Sequence, residues 1–274
     1  MAGDVDIQTE RSVAATRSPV VETASGRIAG VTSGGVHVFK GIPYGASTAG
    51  ANRFMPPRKP APWTGVREAT AYAGRSPQAP ASAQRPELAT VWGPVDTLPV
   101  GEDCLTLHVW TPALDTSKRP VMVWLHGGAF SYGSANSPRY DSTNLARRND
   151  VVVVAVNHRL NIFGHLDLSG LGDERFAPSG NVGILDLVAA LEWVREHAER
   201  FGGDPGNVTI FGQSGGSVFC AGSTASCRRA SGSACSASSW PRPRPRCFNT
   251  ASARRVVRSR SAKRTLAPLC TMAL

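Results

Sequence analysis

Hydrophobic and polar residues follow several distinct rhythms along this chain, and each rhythm predicts a different element. Short alternating runs, Arg27-Ile-Ala-Gly-Val31 and Val36-His-Val-Phe-Lys40, flank Ser33-Gly34-Gly35 and predict a β-hairpin over 27–40. Leu105-Thr-Leu-His-Val-Trp110 also alternates and predicts a half-buried strand, whereas Val121-Met-Val-Trp-Leu125 and Val151-Val-Val-Val-Ala-Val156 are unbroken apolar runs. Unbroken runs of that length suit parallel strands covered on both faces. Over 182–200 the apolar positions Ile184, Val188, Leu191, Val194 and Ala198 recur at helical spacing behind Asn181, a candidate N-cap, and predict an amphipathic helix. Gly202-Gly-Asp-Pro-Gly-Asn207 then predicts turns, and Val208-Thr-Ile-Phe211 a short buried strand running into Gly212. Residues 41–100, rich in Pro, Ala and Gly, have little periodicity and read as a long ordered loop region.

The rhythms stop near residue 217. Residues 218–274 keep no helical or strand period and centre on Pro241-Arg-Pro-Arg-Pro-Arg246. Gly222 falls in the second turn of any helix that starts after residue 214, where glycine costs about 1 kcal/mol relative to Ala. That helix is therefore in doubt. Charge changes at the same point: residues 1–217 hold 19 basic and 20 acidic residues, while 218–274 hold 11 basic residues and no acid, so the tail carries the whole +10 excess. Overall charge is thus a poor guide to partners. Five of the six Cys (220, 227, 235, 247 and 270) also lie in the tail, without a C-x-x-C pair or a His neighbour, so no zinc site is expected. The acidic start Met1–Glu10 lacks the basic and apolar regions of a secretory signal, and no segment reaches the roughly 18 uninterrupted apolar residues of a membrane span. The expected location is cytoplasmic, with no membrane partner.

Chemistry concentrates at Gly212-Gln-Ser-Gly-Gly216, a G-x-S-x-G element after a predicted strand. A Ser hydroxyl is a weak nucleophile near neutrality and needs a base within reach, together with donors aimed at the oxyanion that forms on attack. A sharp turn at Ser214 exposes the hydroxyl and offers the Gly215 N–H. A second donor group is expected from His126-Gly-Gly-Ala-Phe130, directly after the 121–125 strand. The base is the difficulty. All six His (37, 108, 126, 158, 165 and 197) precede Ser214, the last acidic residue is Asp204, and the sixty residues after Ser214 contain no His, Asp or Glu. His126 is the nearby imidazole, and its place in the glycine loop makes it structural rather than a substitute base.

Further motifs accompany the elbow: Phe39-Lys-Gly-Ile-Pro-Tyr44, Arg53-Phe with Pro56-Pro57, Gly101-Glu-Asp-Cys-Leu105, Asn157-His-Arg-Leu160, and the stretch 181–216 including Phe201–Ser214. Together they resemble the type B carboxylesterases, a family that includes cholinesterases and bacterial para-nitrobenzyl esterases, from about residue 26 to residue 217. The resemblance implies an α/β fold of the α/β-hydrolase type, incomplete and ending just after the nucleophile elbow. It implies Ser214 as nucleophile, oxyanion donors at Gly128, Ala129 and Gly215, and ion pairs Arg53–Glu102 and Arg159–Asp186, the second expected to be partly buried. Hydrolysis of small carboxylic esters through an acyl-serine intermediate follows, with no cofactor or metal.

Family members place the triad acid and His beyond the elbow, so this chain is expected to be inactive alone. In the family Cys104 pairs with a Cys in a C-P-Q segment; here that segment reads Ser76-Pro-Gln78, so no disulfide is expected for Cys104. Three organisational units result: an N-terminal extension (1–25), the hydrolase part (26–217), and a basic Ser/Arg/Pro/Cys-rich tail (218–274). The tail reads as the product of a shifted reading frame; a nucleic-acid-binding tail on a non-catalytic remnant is the alternative, and a new C-terminal domain a third.

Overall fold

Gly30 splits the first predicted hairpin in two. In the computed structural model, which describes residues 18–79 and 96–218, β1 (Val20–Thr23) and β2 (Gly26–Ala29) pair antiparallel, and β3 (Val31–Ser33) pairs antiparallel with β4 (Val36–Pro43) through Gly34 and Gly35, both at positive φ. Glycine suits that two-residue turn because both central positions are left-handed. Gly30 itself lies so close to β4 that a Cβ would stand 2.6 Å from Val38 O. The fold therefore starts before residue 26: Val21 is buried, and Ala24 N donates to His197 Nε2 at 2.9 Å. The remainder of the predicted extension (1–17), part of the loop region (80–95) and nearly all of the tail (219–274) lie outside the described residues.

Among its described residues the loop region contributes one short strand, β5 (Val66–Glu68), which joins β2 in parallel to complete a three-stranded sheet. The larger sheet is assembled from β3, β4, β6 (Thr106–Thr111), β7 (Arg119–Leu125), β8 (Val152–Val156) and β9 (Gly203–Gly212). Its helices are α1 (Thr143–Asn149), α2 (Asn161–His165) and α3 (Val182–His197). The strand order is β3-β4-β6-β8-β7-β9, with β7 parallel to both β8 and β9 and β6 antiparallel to β8. Among the described residues β9 has β7 as its sole neighbour and so forms an edge.

Both faces of the sheet are covered, as the unbroken runs predict. Val121, Val123, Val152 and Val154 share a core with Leu187, Ala190, Trp193 and Val194 of α3, while Trp110, Val153 and Ala155 share a second with Ala146 of α1. β8 is buried at every residue, but β7 leaves Met122 and Trp124 half-buried.

Four expectations are corrected in detail. β6 is wholly buried rather than half-buried. Its polar side chains find internal partners: His108 Nε2 with Asn136 Oδ1 at 2.8 Å, and Thr111 Oγ1 donating to Phe201 O at 2.7 Å. Sequence alternation marks polarity, and polarity satisfied inside the protein need not face water. The buried seam of α3 runs through Val182, Gly183, Asp186, Leu187, Ala190, Trp193, Val194 and His197, leaving Ile184, Val188 and Leu191 half-buried. Asn181 occupies the N-cap position without a capping bond, and a preceding 3₁₀ turn supplies Ser179 O to the Val182 N–H. Finally, β9 begins at Gly203, with Arg119 opposite it. The expected turns form an irregularity within the strand, where Asp204 Oδ1 accepts from Gly206 N, before Val208–Gly212 pair with Val121–Leu125.

Candidate functional site

β7 and β9 end side by side, with Leu125 paired to Gly212, and each continues into a strained loop. After β9 the chain reverses at Ser214, whose φ is +54°, a left-handed value that costs an L-residue roughly 1–2 kcal/mol. A helix starts at Gly215 and continues to Val218, the last described residue. Ser217 N and Val218 N donate to Ser214 O at 2.9 and 3.4 Å, and Ser217 Oγ ties back to Gly212 O at 2.9 Å. The first turn of the doubted helix is therefore present; Gly222 lies outside the described residues.

Steric pressure explains the glycines of the element. A Cβ on Gly212 would stand 2.7 Å from Gly216 C and 2.8 Å from Leu125 O, and one on Gly216 would overlap Leu125 O outright. The elbow presses so closely on the end of β7 that neither position tolerates a side chain.

After β7, Gly128, Ala129 and Phe130 all adopt positive φ, at 133°, 51° and 62°. This loop touches the elbow: a Cβ on Gly127 would lie 3.2 Å from Ser214 Cβ, and one on Gly215 would lie 3.3 Å from Ala129 N. Among the described residues, the backbone N–H groups of Gly128, Ala129 and Gly215 have no acceptor. A backbone N–H seldom lacks a partner unless it faces water or a ligand. Here a cavity of about 340 Å³ opens beside Ser214, with Gly127, Gly128 and Ala129 on its wall.

The imidazoles nearby are held neutral. His126 and His158 are buried and stack face to face, centroids 4.7 Å apart. Burial pulls His126 down to about 4; burial, and then the neighbouring His126, pull His158 well below the usual histidine range. His126 Nδ1 lies 3.0 Å from Gly127 O, so its ring braces the glycine loop. No described side chain hydrogen-bonds to Ser214 Oγ.

Two ion pairs brace the surroundings. Arg159 and Asp186 join the segment after β8 to α3: Asp186 accepts Arg159 Nη2 (2.7 Å) and Nε (2.8 Å), and also the Arg159 backbone N (3.0 Å). Arg159 Nη1 reaches Met55 O at 2.8 Å. Both side chains are at most 1% exposed, so the pair expected to be partly buried is fully buried. Burial pushes the Asp186 carboxyl up, and the Arg159 N–H groups oppose that rise. Arg53 meets Glu102 just as bidentately, Nε–Oε2 2.7 Å and Nη2–Oε1 2.5 Å, but at the surface with Arg53 45% exposed. The free Cys104 thiol is buried beside Ser76, and burial pushes it up to about 12.

Several wall residues carry no periodic sequence signal, although Gln78 belongs to the Ser76-Pro-Gln78 segment. Gln78 clamps Gly133 with two hydrogen bonds (2.9 and 3.0 Å), and Arg75 and Asp96 line the cavity. All three belong to the stretch without periodicity, where pattern reading has nothing to measure.

Residues 17–235 match the model of the carboxylesterase family. The chain is 42% identical over 203 residues to a phenmedipham hydrolase of Pseudarthrobacter oxydans, and 42% identical over 210 residues to a para-nitrobenzyl esterase of Bacillus subtilis (strain 168). Each comparison covers 74% of this chain and 39% of the relative. A solved carboxylesterase of Geobacillus stearothermophilus superposes with a TM-score of 0.66 at 48% identity, covering 73% of this chain and 38% of that one. The chain thus spans about two fifths of the length of these relatives. Their shared architecture is the α/β-hydrolase fold.

Proposed function

Because the chain belongs to the carboxylesterase family, we propose that it carries the nucleophile side of a serine ester hydrolase site. In this reading Ser214 Oγ attacks the carbonyl carbon of a small carboxylic ester. The Gly128, Ala129 and Gly215 N–H groups receive the oxyanion, the alcohol departs, and water releases the acid from acyl-Ser214. The observation that carries the proposal is the meeting of a strained Ser214 with the Gly128 and Ala129 N–H groups at one cavity, and with the Gly215 N–H next in the chain, none of the three having an acceptor among the described residues. Donors fixed in advance act on the developing charge without reorganising, and one such donor is worth about 10²–10³ in rate. No step calls for a metal or cofactor.

The reading also assigns what these 274 residues do not provide. Attack by Ser214 requires an acceptor for its proton; no His, Asp or Glu follows it, and the buried, stacked His126 serves the loop. On this reading the base is not among these 274 residues, which alone retain only positioning and the oxyanion donors, worth about 10³–10⁴ over water. The same proposal takes in a domain running from β1 to about residue 217, a cytoplasmic location and no nucleic-acid partner. No described helix is long and apolar enough to cross a membrane.

The test joins residues 18–217 to the remaining part of the Bacillus esterase and follows hydrolysis of a chromogenic acetate. The chimera should turn over the ester, with Ser214→Ala reducing it to background, while the unfused chain stays near background throughout. Turnover that survives Ser214→Ala removes the nucleophile assignment, and family-like turnover by the unfused chain removes the claim of an external base.

A further inference from the structure

The cavity beside Ser214 has a second chemical centre that the reaction does not use. Arg75 is only 7% exposed, and it lines the same wall space as Ser214. Its backbone is fixed on both sides, Arg75 N donating to Pro99 O at 3.1 Å and Gly101 N to Arg75 O at 2.9 Å. Its Nε donates to Leu98 O at 2.8 Å, and neither terminal guanidinium nitrogen has a hydrogen-bond partner among the described residues. A buried cation without a counter-ion is costly, and a planar fork with both tines free matches a carboxylate.

The remaining charges on the wall favour the same ligand. Arg139 stands at the exposed rim, its Nε on Ser137 Oγ at 2.9 Å and its guanidinium 5.3 Å from the Tyr140 ring. Asp96 is the one acid that the described residues bring to the wall; it turns Oδ1 to Leu98 N at 2.8 Å, and its Oδ2 is buried without a hydrogen-bond partner. An anion entering the cavity thus meets Arg139 and the Tyr140 ring at the rim and the Arg75 guanidinium on the wall.

We propose that Arg75 is a specificity-determining residue that anchors a free carboxylate on the substrate, so that the preferred esters are half-esters of dicarboxylic acids. This rests on the reading of Ser214 as the nucleophile. The ester carbonyl lies at Ser214 and the free carboxylate at Arg75, with Arg139 drawing the anion toward the entrance. A rigid receptor loses little freedom on binding, and bidentate Arg–carboxylate contacts are among the stronger hydrogen bonds.

The full chain, which does not consume the ester during a titration, is titrated calorimetrically with 4-(ethoxycarbonyl)benzoate and with ethyl 4-acetylbenzoate, a neutral ligand of nearly the same shape. The carboxylate ligand should bind at least about tenfold more tightly. Arg75→Met should remove that preference while keeping affinity for the ketone, Arg75→Lys should keep part of it, and Arg139→Gln should reduce it only slightly. Equal binding of both ligands by the unaltered chain overturns the proposal without needing any variant. A preference that persists in a folded Arg75→Met chain overturns the assignment to Arg75. Binding of neither ligand overturns the reading of the cavity as the ester site, and this proposal with it.

Discussion

Asp186→Ala is the most informative perturbation of the scaffold. It leaves the Arg159 guanidinium about 1% exposed, with two of its hydrogen bonds and that of the Arg159 backbone N–H broken and Met55 O as the guanidinium's remaining acceptor. Removing one partner of a buried pair costs about 3–5 kcal/mol, because the surviving charge stays desolvated and uncompensated. Against a typical domain stability of about 5–15 kcal/mol, that is a large fraction. The double change Arg159→Met with Asp186→Leu removes both charges and should recover most of the loss, since neither desolvation penalty remains. Urea denaturation followed by tryptophan fluorescence reads the effect directly, Trp110 being fully buried and Trp193 nearly so. Arg53→Ala belongs in the same series as a control: its pair with Glu102 has the same bidentate geometry but sits in water, so the midpoint should barely move. A shift below about 1 kcal/mol for Asp186→Ala, or a double variant no more stable than the single one, refutes the argument that burial sets the value of this pair.

Ser214→Gly should abolish any Ser214-dependent chemistry yet raise stability by about 1 kcal/mol, measured by the same urea series, because glycine adopts φ +54° without strain. Acid should destabilise the fold between about pH 6.5 and pH 4. His108 and His126 are each held down to about 4 by burial, so in this window the unfolded chain binds protons that the folded chain refuses. Each contributes about 3 kcal/mol above pH 6.5 that is lost as pH falls toward 4; a melting temperature flat across the window contradicts this. Native Cys104 should resist iodoacetamide and become labelled only in urea, since its thiol is buried and pushed up to about 12. Mass spectrometry of the Cys104 peptide checks it, and rapid native labelling counts against the burial.

What could be read in the sequence depended on whether a residue's role left a local trace. The apolar runs of β7 and β8, and the glycines around Ser214, are local signals: burial on both faces and lack of space at an elbow act on the residues themselves. Arg159 and Asp186 became legible only through motif resemblance, and the completeness of their burial not at all, since it depends on Met55 from a distant loop. The α3 seam was displaced because Gly183, Asp186 and His197 are buried for packing and hydrogen bonding, which a hydrophobic count scores as exposure. Arg75, Gln78 and Asp96 reach the cavity from an irregular segment whose path is set by tertiary contacts alone.

The pairing of Leu125 with Gly212 makes the sheet a ruler for the proposed reaction. The strand that delivers the hydroxyl and the strand that delivers the donor loop leave the sheet at the same rung, about 4.8 Å apart, a spacing set by hydrogen-bonded backbone and not by any side chain. On the proposed reading of Ser214 as nucleophile, side chains across the cavity wall can therefore be exchanged to suit new esters without recalibrating the gap between its Oγ and the oxyanion donors. Insertion of a single residue into either strand is another matter: it shifts one loop by a rung, roughly 3.3 Å, and turns every following side chain to the opposite face. Variation in this lineage should thus be frozen in length along β7 and the second half of β9, even where the side chains of the cavity wall change.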